Sequence, residues 1–262
     1  MKIETQDISF IAEGKTILSK VSTLLEEGKF VGLIGPNGSG KSTLLKCIYR
    51  IFRPTTGAVY LDGRDMTGMP YKETAKRMAV VAQHNFYNFD FKVLDIVLMG
   101  RSPHKKLLER DTEADYKIAR ESLCIVGMAG FEQRQFSTLS GGEQQRVMLA
   151  RALTQKTECI IMDEPTNHLD IKYQLQIMDI AKSLNIPIMA ALHDLNIAVN
   201  YCDYLYALRS GEVIASGTPK SLITKEFLRN LFEVDTEILF GERGQMIIAY
   251  HSKRSGKSGR HI

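Results

Sequence analysis

The chain has 262 residues, of which 44% are hydrophobic and 24% charged, as in ordinary globular proteins. Its net charge is +4, and a tail without acidic residues accounts for it through Lys253, Arg254, Lys257 and Arg260. We therefore expect a disordered tail at residues 251–262 and no nucleic-acid partner. The length is sufficient for a sizeable core, either in one large α/β domain or in a domain with an insertion.

Four cysteines are scattered among apolar neighbours without C-x-x-C spacing: Cys47, Cys124, Cys159 and Cys202. We predict that they are reduced core residues of a cytosolic protein. The N-terminal sequence lacks an apolar segment of signal-peptide type, and no apolar run approaches about 18 residues. We expect neither a signal peptide nor a membrane span, so that any membrane association would come from a partner.

The first part of the chain has the pattern of a β-rich lead. Residues 1–34 alternate strand-like stretches with turns, and further strand patterns cover residues 57–62 and 79–82. This arrangement predicts an antiparallel β-subdomain that leads into a parallel core.

A short apolar strand, a glycine-rich loop and a helical pattern that extends to Phe52 follow one another from residue 31. The loop matches the phosphate-binding pattern G-x-x-x-x-G-K-[ST] in the context that this pattern requires. Glycines let backbone N–H groups surround an oxyanion, and the helix N-terminus adds a partial positive charge. Lys41 can reach the β- and γ-phosphates, and the Ser42 hydroxyl can bind Mg²⁺. The residues predicted to bind nucleotide here are Gly35, Pro36, Asn37, Gly38, Ser39, Gly40, Lys41, Ser42 and Thr43.

The pattern becomes mainly helical between residues 85 and 150, which we predict to form a helical insertion subdomain. Thr112 and Asp115 form a T-x-x-D start for one helix, and Gly127 ends it. The aromatic stretch at residues 85–91 is typical of local packing or of an interface.

A second helix start lies in the sequence LSGGEQQR at residues 139–146. Ser140 and Glu143 form a capping box, and Gly141 and Gly142 leave the first helical turn open to an anion. Because one nucleotide does not need two phosphate cradles, we infer that this second cradle serves the nucleotide of another copy of the chain.

Parallel α/β character returns with a wholly apolar strand at residues 159–162 that ends in Asp163 and Glu164. Ligands of open parallel sheets bind at the carboxyl ends of the strands. Asp163 is suited to hold Mg²⁺ there, and Glu164 to accept a proton from an attacking water. Later elements are predicted at residues 175–184 (helix), 186–192 (strand), 204–215 (hairpin) and from Thr218 onward (short helices).

Over residues 1–235 these motifs resemble those of the ATP-binding cassette ATPases. GPNGSGKST is similar to the Walker A motif of that family, CIIMDE to its Walker B motif and LSGGEQQR to its signature motif. The resemblance implies that Gln83 is the Q-loop glutamine, that Asp170 ends the D-loop, and that His193 is the switch histidine. It also implies an α/β fold, with a P-loop NTPase core built on a mainly parallel sheet, an antiparallel β-subdomain and a helical insertion subdomain.

The resemblance further implies an ATPase that uses ATP and Mg²⁺. The implied catalytic residues are Lys41, Glu164 and His193. The implied Mg²⁺ ligands are Ser42, Gln83 and Asp163. Beyond the phosphate loop, the residues implied to contact ATP are Phe10, Gln83, Ser140, Gly141, Gly142, Asp163 and Asp170. We expect one domain over residues 1–262, with its core at 1–84 and 151–235, the helical subdomain at 85–150, C-terminal elements at 236–250 and the tail at 251–262.

One position departs from the pattern of the family, which usually stacks adenine on an aromatic residue shortly before the first turn. Ala12 occupies that place here, and Phe10 lies two residues earlier on the same face of a regular strand. Either Phe10 substitutes or base stacking is weak, and the preference for ATP over GTP stays open.

Within the family the chain is most similar to the importer subunits for iron-siderophores, haem or cobalamin. The supporting stretches are MGRSPH at residues 99–104, DEPTNHLDI at 163–171 and LHDLNIA at 192–198. This resemblance implies a head-to-tail homodimer with two ATP molecules between its subunits, bound peripherally at the cytoplasmic face of the membrane. It implies a permease contact through the Q-loop and residues 85–110 and, indirectly, an extracytoplasmic substrate-binding protein. The alternative is a soluble cassette ATPase in cofactor assembly, since a P-loop kinase does not explain LSGGEQQR.

Overall fold

Twelve strands and nine α-helices form in the part of the chain that the computed structural model describes, residues 1–82, 91–106, 108–167 and 169–251. The strands are β1 (Ile3–Ala12), β2 (Lys15–Leu25), β3 (Phe30–Ile34), β4 (Thr56–Leu61), β5 (Arg64–Asp65), β6 (Met78–Val81), β7 (Cys159–Asp163), β8 (Ile188–Ala191), β9 (Tyr204–Arg209), β10 (Glu212–Gly217), β11 (Asp235–Phe240) and β12 (Met246–His251). The α-helices are α1 (Lys41–Ile48), α2 (Tyr71–Arg77), α3 (Val93–Leu98), α4 (Glu113–Ile125), α5 (Gly141–Thr154), α6 (Ile171–Ser183), α7 (Leu195–Tyr201), α8 (Pro219–Leu222) and α9 (Lys225–Phe232).

A six-stranded sheet with the order β10-β9-β3-β8-β7-β6 forms the centre of the fold. The strands from β9 to β6 run parallel, and β10 pairs with β9 in the antiparallel sense. Every residue of β3, β7 and β8 is buried, as expected of strands covered on both faces. The register pairs Ala191 with Leu33 on one side and with Asp163 on the other. The carboxyl ends of these three strands therefore meet at one edge of the sheet, where the predicted site residues follow them.

The N-terminal strands form a separate antiparallel sheet with the order β2-β1-β4-β5. Ile8 and Leu18 of this sheet share a fully buried core with Leu44 and Leu45 of α1 and Ile161 of β7. The antiparallel lead and the mainly parallel core are thus both present, and the predicted α/β fold class is confirmed.

Helices α3, α4 and α5 pack against one another beside the central sheet. At the start of α4, the Thr112 hydroxyl accepts from the Asp115 N–H (3.3 Å), and the Asp115 carboxylate accepts from the Thr112 N–H (3.0 Å). Ser140 and Glu143 form the same capping box at the start of α5. Both predicted helix starts are confirmed, while the division into core and helical subdomain stays a prediction.

The C-terminal part of the fold contains two hairpins. The predicted hairpin at residues 204–215 is the β9–β10 pair, and Thr218 caps α8 as its sequence indicated. A second hairpin, β11–β12, packs on α7 and α9. The sequence patterns had marked residues 236–250 only as C-terminal elements and did not predict this strand pair.

The helical pattern predicted to extend to Phe52 stops earlier. Helix α1 ends at Ile48, and Arg50 has a left-handed backbone conformation (φ 67°) that a continuing right-handed helix does not allow. Ile51 consequently lies outside the helix and is 67% exposed.

One of the four cysteines is not a core residue, contrary to the prediction. Cys47, Cys159 and Cys202 are buried free thiols, and burial raises the pKa of each. Cys124 is exposed, because its neighbour Leu123 occupies the inward face of α4.

Some predicted features lie outside the described residues. They are Gln83, most of the aromatic stretch at residues 85–91, the D-loop residue His168 and the basic tail from residue 252.

Candidate active site

The glycine-rich loop connects β3 to α1, so that Lys41, Ser42 and Thr43 form the first turn of the helix. Two glycines are required there by the close approach of other backbone and side-chain atoms. A Cβ on Gly35 (φ 149°) would lie 2.1 Å from the Leu208 carbonyl oxygen, and one on Gly40 (φ 102°) would lie 2.7 Å from Leu18 Cδ2. Within the loop the Ser39 N–H donates to the Pro36 carbonyl (3.2 Å), whereas Asn37 and Gly38 are exposed.

The Lys41 ammonium group lies over this loop and is almost completely buried, with the residue 4% exposed. Its Nζ donates to the carbonyl oxygens of Gly35 (2.8 Å) and Pro36 (3.1 Å). Burial lowers the pKa of Lys41, against the opposing effect of the nearby Glu164 and Asp163 carboxylates. The structure therefore brings the cation of the loop close to both predicted acids.

Asp163 ends β7 as a carboxylate with an unused acceptor. It is 2% exposed and accepts a hydrogen bond from Ser42, yet its Oδ1 is buried without a hydrogen-bond partner in the described part of the chain. Burial raises the pKa of Asp163 despite the Ser42 hydrogen bond. A buried acceptor left unpaired is unfavourable by about 1–3 kcal/mol, and a divalent cation would satisfy it.

The donor set around Asp163 also fits Mg²⁺. Within the described ranges no group of three or more His, Cys, Asp or Glu side chains could hold a metal ion by itself. Mg²⁺ usually takes one or two protein oxygens and completes its shell with substrate phosphates and water. The Ser42 hydroxyl and the Asp163 carboxylate beside a phosphate loop are such a partial set.

Glu164 is held in an unusual backbone conformation next to Asp163. Its φ of 53° is in the left-handed region, which for a residue with a side chain costs about 1–3 kcal/mol and is typical of functional sites. Its N–H donates to the Ala191 carbonyl (3.2 Å), and its Oε1 lies 2.5 Å from His193 Nε2. Its Oε2 accepts from the Asn167 side-chain amide. The sequence indicated Glu164 and His193 but neither this conformation nor the role of Asn167 as a partner of Glu164.

His193 lies on the connection between β8 and α7. Asp194 is the N-cap of α7, where its side chain accepts from the N–H groups of Asn196 (2.7 Å) and Ile197 (3.2 Å). The imidazole is 32% exposed, whereas the Glu164 side chain is 9% exposed. One edge of the Glu164–His193 pair therefore faces solvent, from which a water or a phosphate group could approach.

The residues of LSGGEQQR lie at the N-terminus of α5, on the helical part of the molecule. The Ser140 N–H and hydroxyl both donate to Glu143 Oε2 at 2.8 Å. Gly141 is exposed, but Gly142 is buried against a ring, since an added Cβ would lie 2.8 Å from two atoms of Tyr173. Sequence patterns missed this contact, which joins α5 to the first turn of α6 immediately after Asp170, the N-cap residue of α6.

One face of the Phe10 ring is already covered by another aromatic ring of the same chain. Its ring stacks on Phe52 with centroids 4.9 Å apart and planes 9° apart, so a stacked base would need the opposite face. The β1–β2 register shifts between Phe10 and Ile11, but the extra residue lies on β2, and burial along β1 still alternates, with Phe10 and Ala12 half-buried and Ile11 exposed. An adenine contact of Phe10 stays a prediction.

A parallel sheet with a phosphate loop after one strand and paired carboxylates after another defines a P-loop NTPase. The fold is similar to that of a solved structure described as an inward-facing conformation of a putative metal-chelate type ABC transporter. The two chains match with a TM-score of 0.81 and 26% identity, over 95% of this chain and 96% of the other.

The sequence comparisons identify the family. A family model described as ABC transporter matches residues 18–167, and the chain belongs to this family and is an ATP-binding ATPase. It is 37% identical to the iron(3+)-hydroxamate import ATP-binding protein FhuC of Bacillus subtilis, over 92% of this chain and 91% of that protein. It is also 37% identical to the hemin import ATP-binding protein HmuV of Gloeobacter violaceus, over 86% and 85% of the two chains. In the described ranges no helix combines the length and the apolar character that crossing a bilayer requires.

Proposed function

We propose that this chain is the ATP-hydrolysing subunit of an importer for an iron chelate, either a siderophore or haem, or for cobalamin. The observation that carries the ATPase assignment is the Glu164 carboxylate, held between His193 and Asn167 beside the phosphate loop. The import assignment is supported by the printed functions of the relatives FhuC and HmuV.

The proposed mechanism assigns one task to each group at the sheet edge. Lys41 and the amides of the glycine loop bind the phosphates, and Ser42 and Asp163, with Gln83, would hold Mg²⁺. The ion supplies charge neutralisation to the phosphates when it is bound. Glu164 accepts a proton from the attacking water, and His193 orients the Glu164 carboxylate and contacts the γ-phosphate.

We assign Ser140, Gly141 and Gly142 to the nucleotide of a second copy in a head-to-tail homodimer. Ser140 and Gly141 are exposed at the N-terminus of a 14-residue helix, whose partial positive charge suits a phosphate. Asp170 precedes α6, which packs on this motif through Tyr173, and it would lie near the same interface.

The partner outside the ATPase pair would be a membrane permease, which places the subunit peripherally at the cytoplasmic face of the membrane. The test is a mild-detergent purification of the tagged chain from its native membranes, with mass-spectrometric identification of the retained proteins. We expect a polytopic permease among the retained proteins. The identity of the substrate-binding protein that works with this permease would then narrow the range of possible cargo. Recovery of assembly proteins alone would contradict transport and favour the cofactor-assembly ATPase.

A further inference from the structure

The helix that follows His193 is attached to the C-terminal hairpin by an asparagine side chain. Asn196 Oδ1 accepts from the Ile248 N–H (2.8 Å), and Asn196 Nδ2 donates to the Ile248 carbonyl (3.2 Å). Both polar atoms of the side-chain amide thus pair with the backbone of one residue, which we call the amide clasp. One turn later Asn200 Nδ2 donates to the Met246 carbonyl (2.9 Å).

The amide clasp holds Asn196, which follows His193 by three residues, and it thereby fixes a short helix. Helix α7 has seven residues, and a helix of this length depends on tertiary contacts for its position. Asn196 is fixed at two points, because its own N–H donates to the capping Asp194 and its side chain pairs with the hairpin. Movement of the hairpin relative to the sheet would therefore move the first turn of α7 and the preceding His193.

The C-terminal hairpin is itself anchored in the hydrophobic core, and it extends to the proposed catalytic residues. Met246 (5% exposed) and Ile248 (2% exposed) belong to the main core cluster. Tyr250, which follows on the same strand, lines a cavity of about 350 Å³ together with His193 and Asn167. Those two residues are the side chains that hold Glu164, so the hairpin forms one wall of the space beside the proposed general base.

We infer that Asn196 is a positioning residue for ATP hydrolysis, and that the C-terminal hairpin is part of the hydrolytic machinery through it. By fixing α7 against β12, the amide clasp holds the His193 ring at Glu164. This inference rests on the role proposed for His193 and adds a structural element that no sequence motif of the chain indicated.

The first test compares ATP turnover by the full chain and by two variants. Asn196→Ala is expected to lower kcat about tenfold, since small displacements of a catalytic group reduce rates strongly, and to leave KM for ATP within about twofold. Asn200→Ala is the matched control, because it loses hydrogen bonds to the Met246 and Asn196 carbonyls but leaves the amide clasp in place and lies one turn further from His193. We expect its kcat to stay within about twofold of wild type. An equal fall of kcat in both variants would overturn the inference.

The second test follows the His193 ring by NMR. In protein labelled with ¹³C at histidine Cε1, the His193 resonance is assigned by its loss in His193→Ala. Asn196→Ala is expected to shift this resonance and Asn200→Ala to leave it in place, and an unshifted resonance in Asn196→Ala would overturn the inference.

A double variant separates this inference from the proposed function. In the His193→Ala background, Asn196→Ala is expected to cause no further loss of kcat, and an additive loss would overturn the inference. If His193→Ala alone turned over ATP at the wild-type rate, the role proposed for His193 would fail. The ring resonance would then still show whether the clasp places the ring.

Discussion

Glu164 is the residue at which most of the local constraints meet. Its backbone N–H, its Oε1 and its Oε2 are each engaged, by Ala191, His193 and Asn167 respectively. The apolar strand before it and the acidic pair predicted its place at the sheet edge. The left-handed backbone could not be predicted, because the Glu164 N–H pairs with the Ala191 carbonyl of β8, a long-range contact that no local pattern encodes.

At the same scale, Gly142 has a packing role besides the anion binding proposed for it. Gly142→Ala is expected to lower the free energy of unfolding by about 1–3 kcal/mol, because the new Cβ would lie 2.8 Å from the Tyr173 ring. Adding Tyr173→Ala removes that clash, so the double variant is expected to lose less than the sum of the two single losses. Denaturant unfolding of the three variants measures this coupling.

Gly141→Ala is the matched control for that experiment. The atom nearest to an added Cβ there is Leu169 Cδ2 at 4.0 Å, so we expect no loss in the free energy of unfolding. Strictly additive losses for Gly142→Ala and Tyr173→Ala would contradict the packing between α5 and α6. The capping box at Ser140 was predictable because it is local, whereas the Tyr173 contact joins residues far apart in the chain.

At the scale of elements, one ion-pair network holds the segment Met99–His104 to the neighbouring helices. Arg101 Nε donates to Asp115 Oδ1 (2.8 Å), and Arg101 Nη1 donates to the Thr154 carbonyl (3.0 Å). Burial alone would raise the pKa of Asp115. Hydrogen bonds from Thr112, Arg101 and Lys105 outweigh it and hold that pKa below its ordinary value.

Asp115→Asn is therefore expected to destabilise the protein in a pH-dependent way. A carboxyl group whose pKa is lower in the folded than in the unfolded chain stabilises the fold above its ordinary value of 3.8, and this contribution is lost as the pH falls further. At about pH 7 we expect a loss of about 3 kcal/mol, since Arg101 keeps a largely buried charge without its partner. Denaturant unfolding across the acid range measures whether this loss shrinks below pH 3.8.

The control is Glu121→Gln, which changes an exposed acid on the same helix. It is expected to alter the free energy of unfolding by less than about 0.5 kcal/mol at every pH. A loss in Asp115→Asn that stays constant into the acid range would contradict the ion-pair account.

The helix starts and the hairpin at residues 204–215 could be predicted because their signals are local: capping pairs, glycines and apolar alternation. The attachment of the β11–β12 hairpin to α7 could not, since the contact between Asn196 and Ile248 joins residues 52 positions apart.

At the scale of the whole molecule, the sequence predicted β3, β7 and β8 as strands of the parallel core, but neither the membership of β6 and β9 in that sheet nor the order of the strands. Apolar runs indicate buried strands, yet the placement of β3 between β9 and β8 follows from long-range pairing. That placement matters for the site, because it brings the loop of Lys41 next to His193, and β7 adds Asp163 and Glu164. The proposed division of the nucleotide site between two copies would also be a property of the assembly.

Ser140→Arg tests that division. The larger, charged side chain at the N-terminus of α5 is expected to lower ATP hydrolysis about 100-fold, because it would block the cradle offered to the second nucleotide. ATP binding to the monomer, measured by equilibrium dialysis, is expected to stay within about threefold of wild type.

Thr224→Arg is the matched control, since Thr224 caps α9 as Ser140 caps α5 and lies outside the proposed site. This variant shows how much of any change in ATP hydrolysis comes from the loss of a helix cap alone. Such a loss lowers the free energy of unfolding by about 1 kcal/mol. Loss of monomer ATP binding in Ser140→Arg would contradict the two-copy assignment.

The most direct measurement of the central claim is steady-state ATP hydrolysis by Glu164→Gln, with light scattering of the same sample in ATP. The amide keeps the shape of Glu164 but accepts no proton, so we expect turnover to fall at least about 100-fold. We also expect an ATP-stabilised dimer to accumulate, while Glu121→Gln behaves as wild type. Hydrolysis by Glu164→Gln within about threefold of wild type would contradict the account, because the general base would then lie elsewhere.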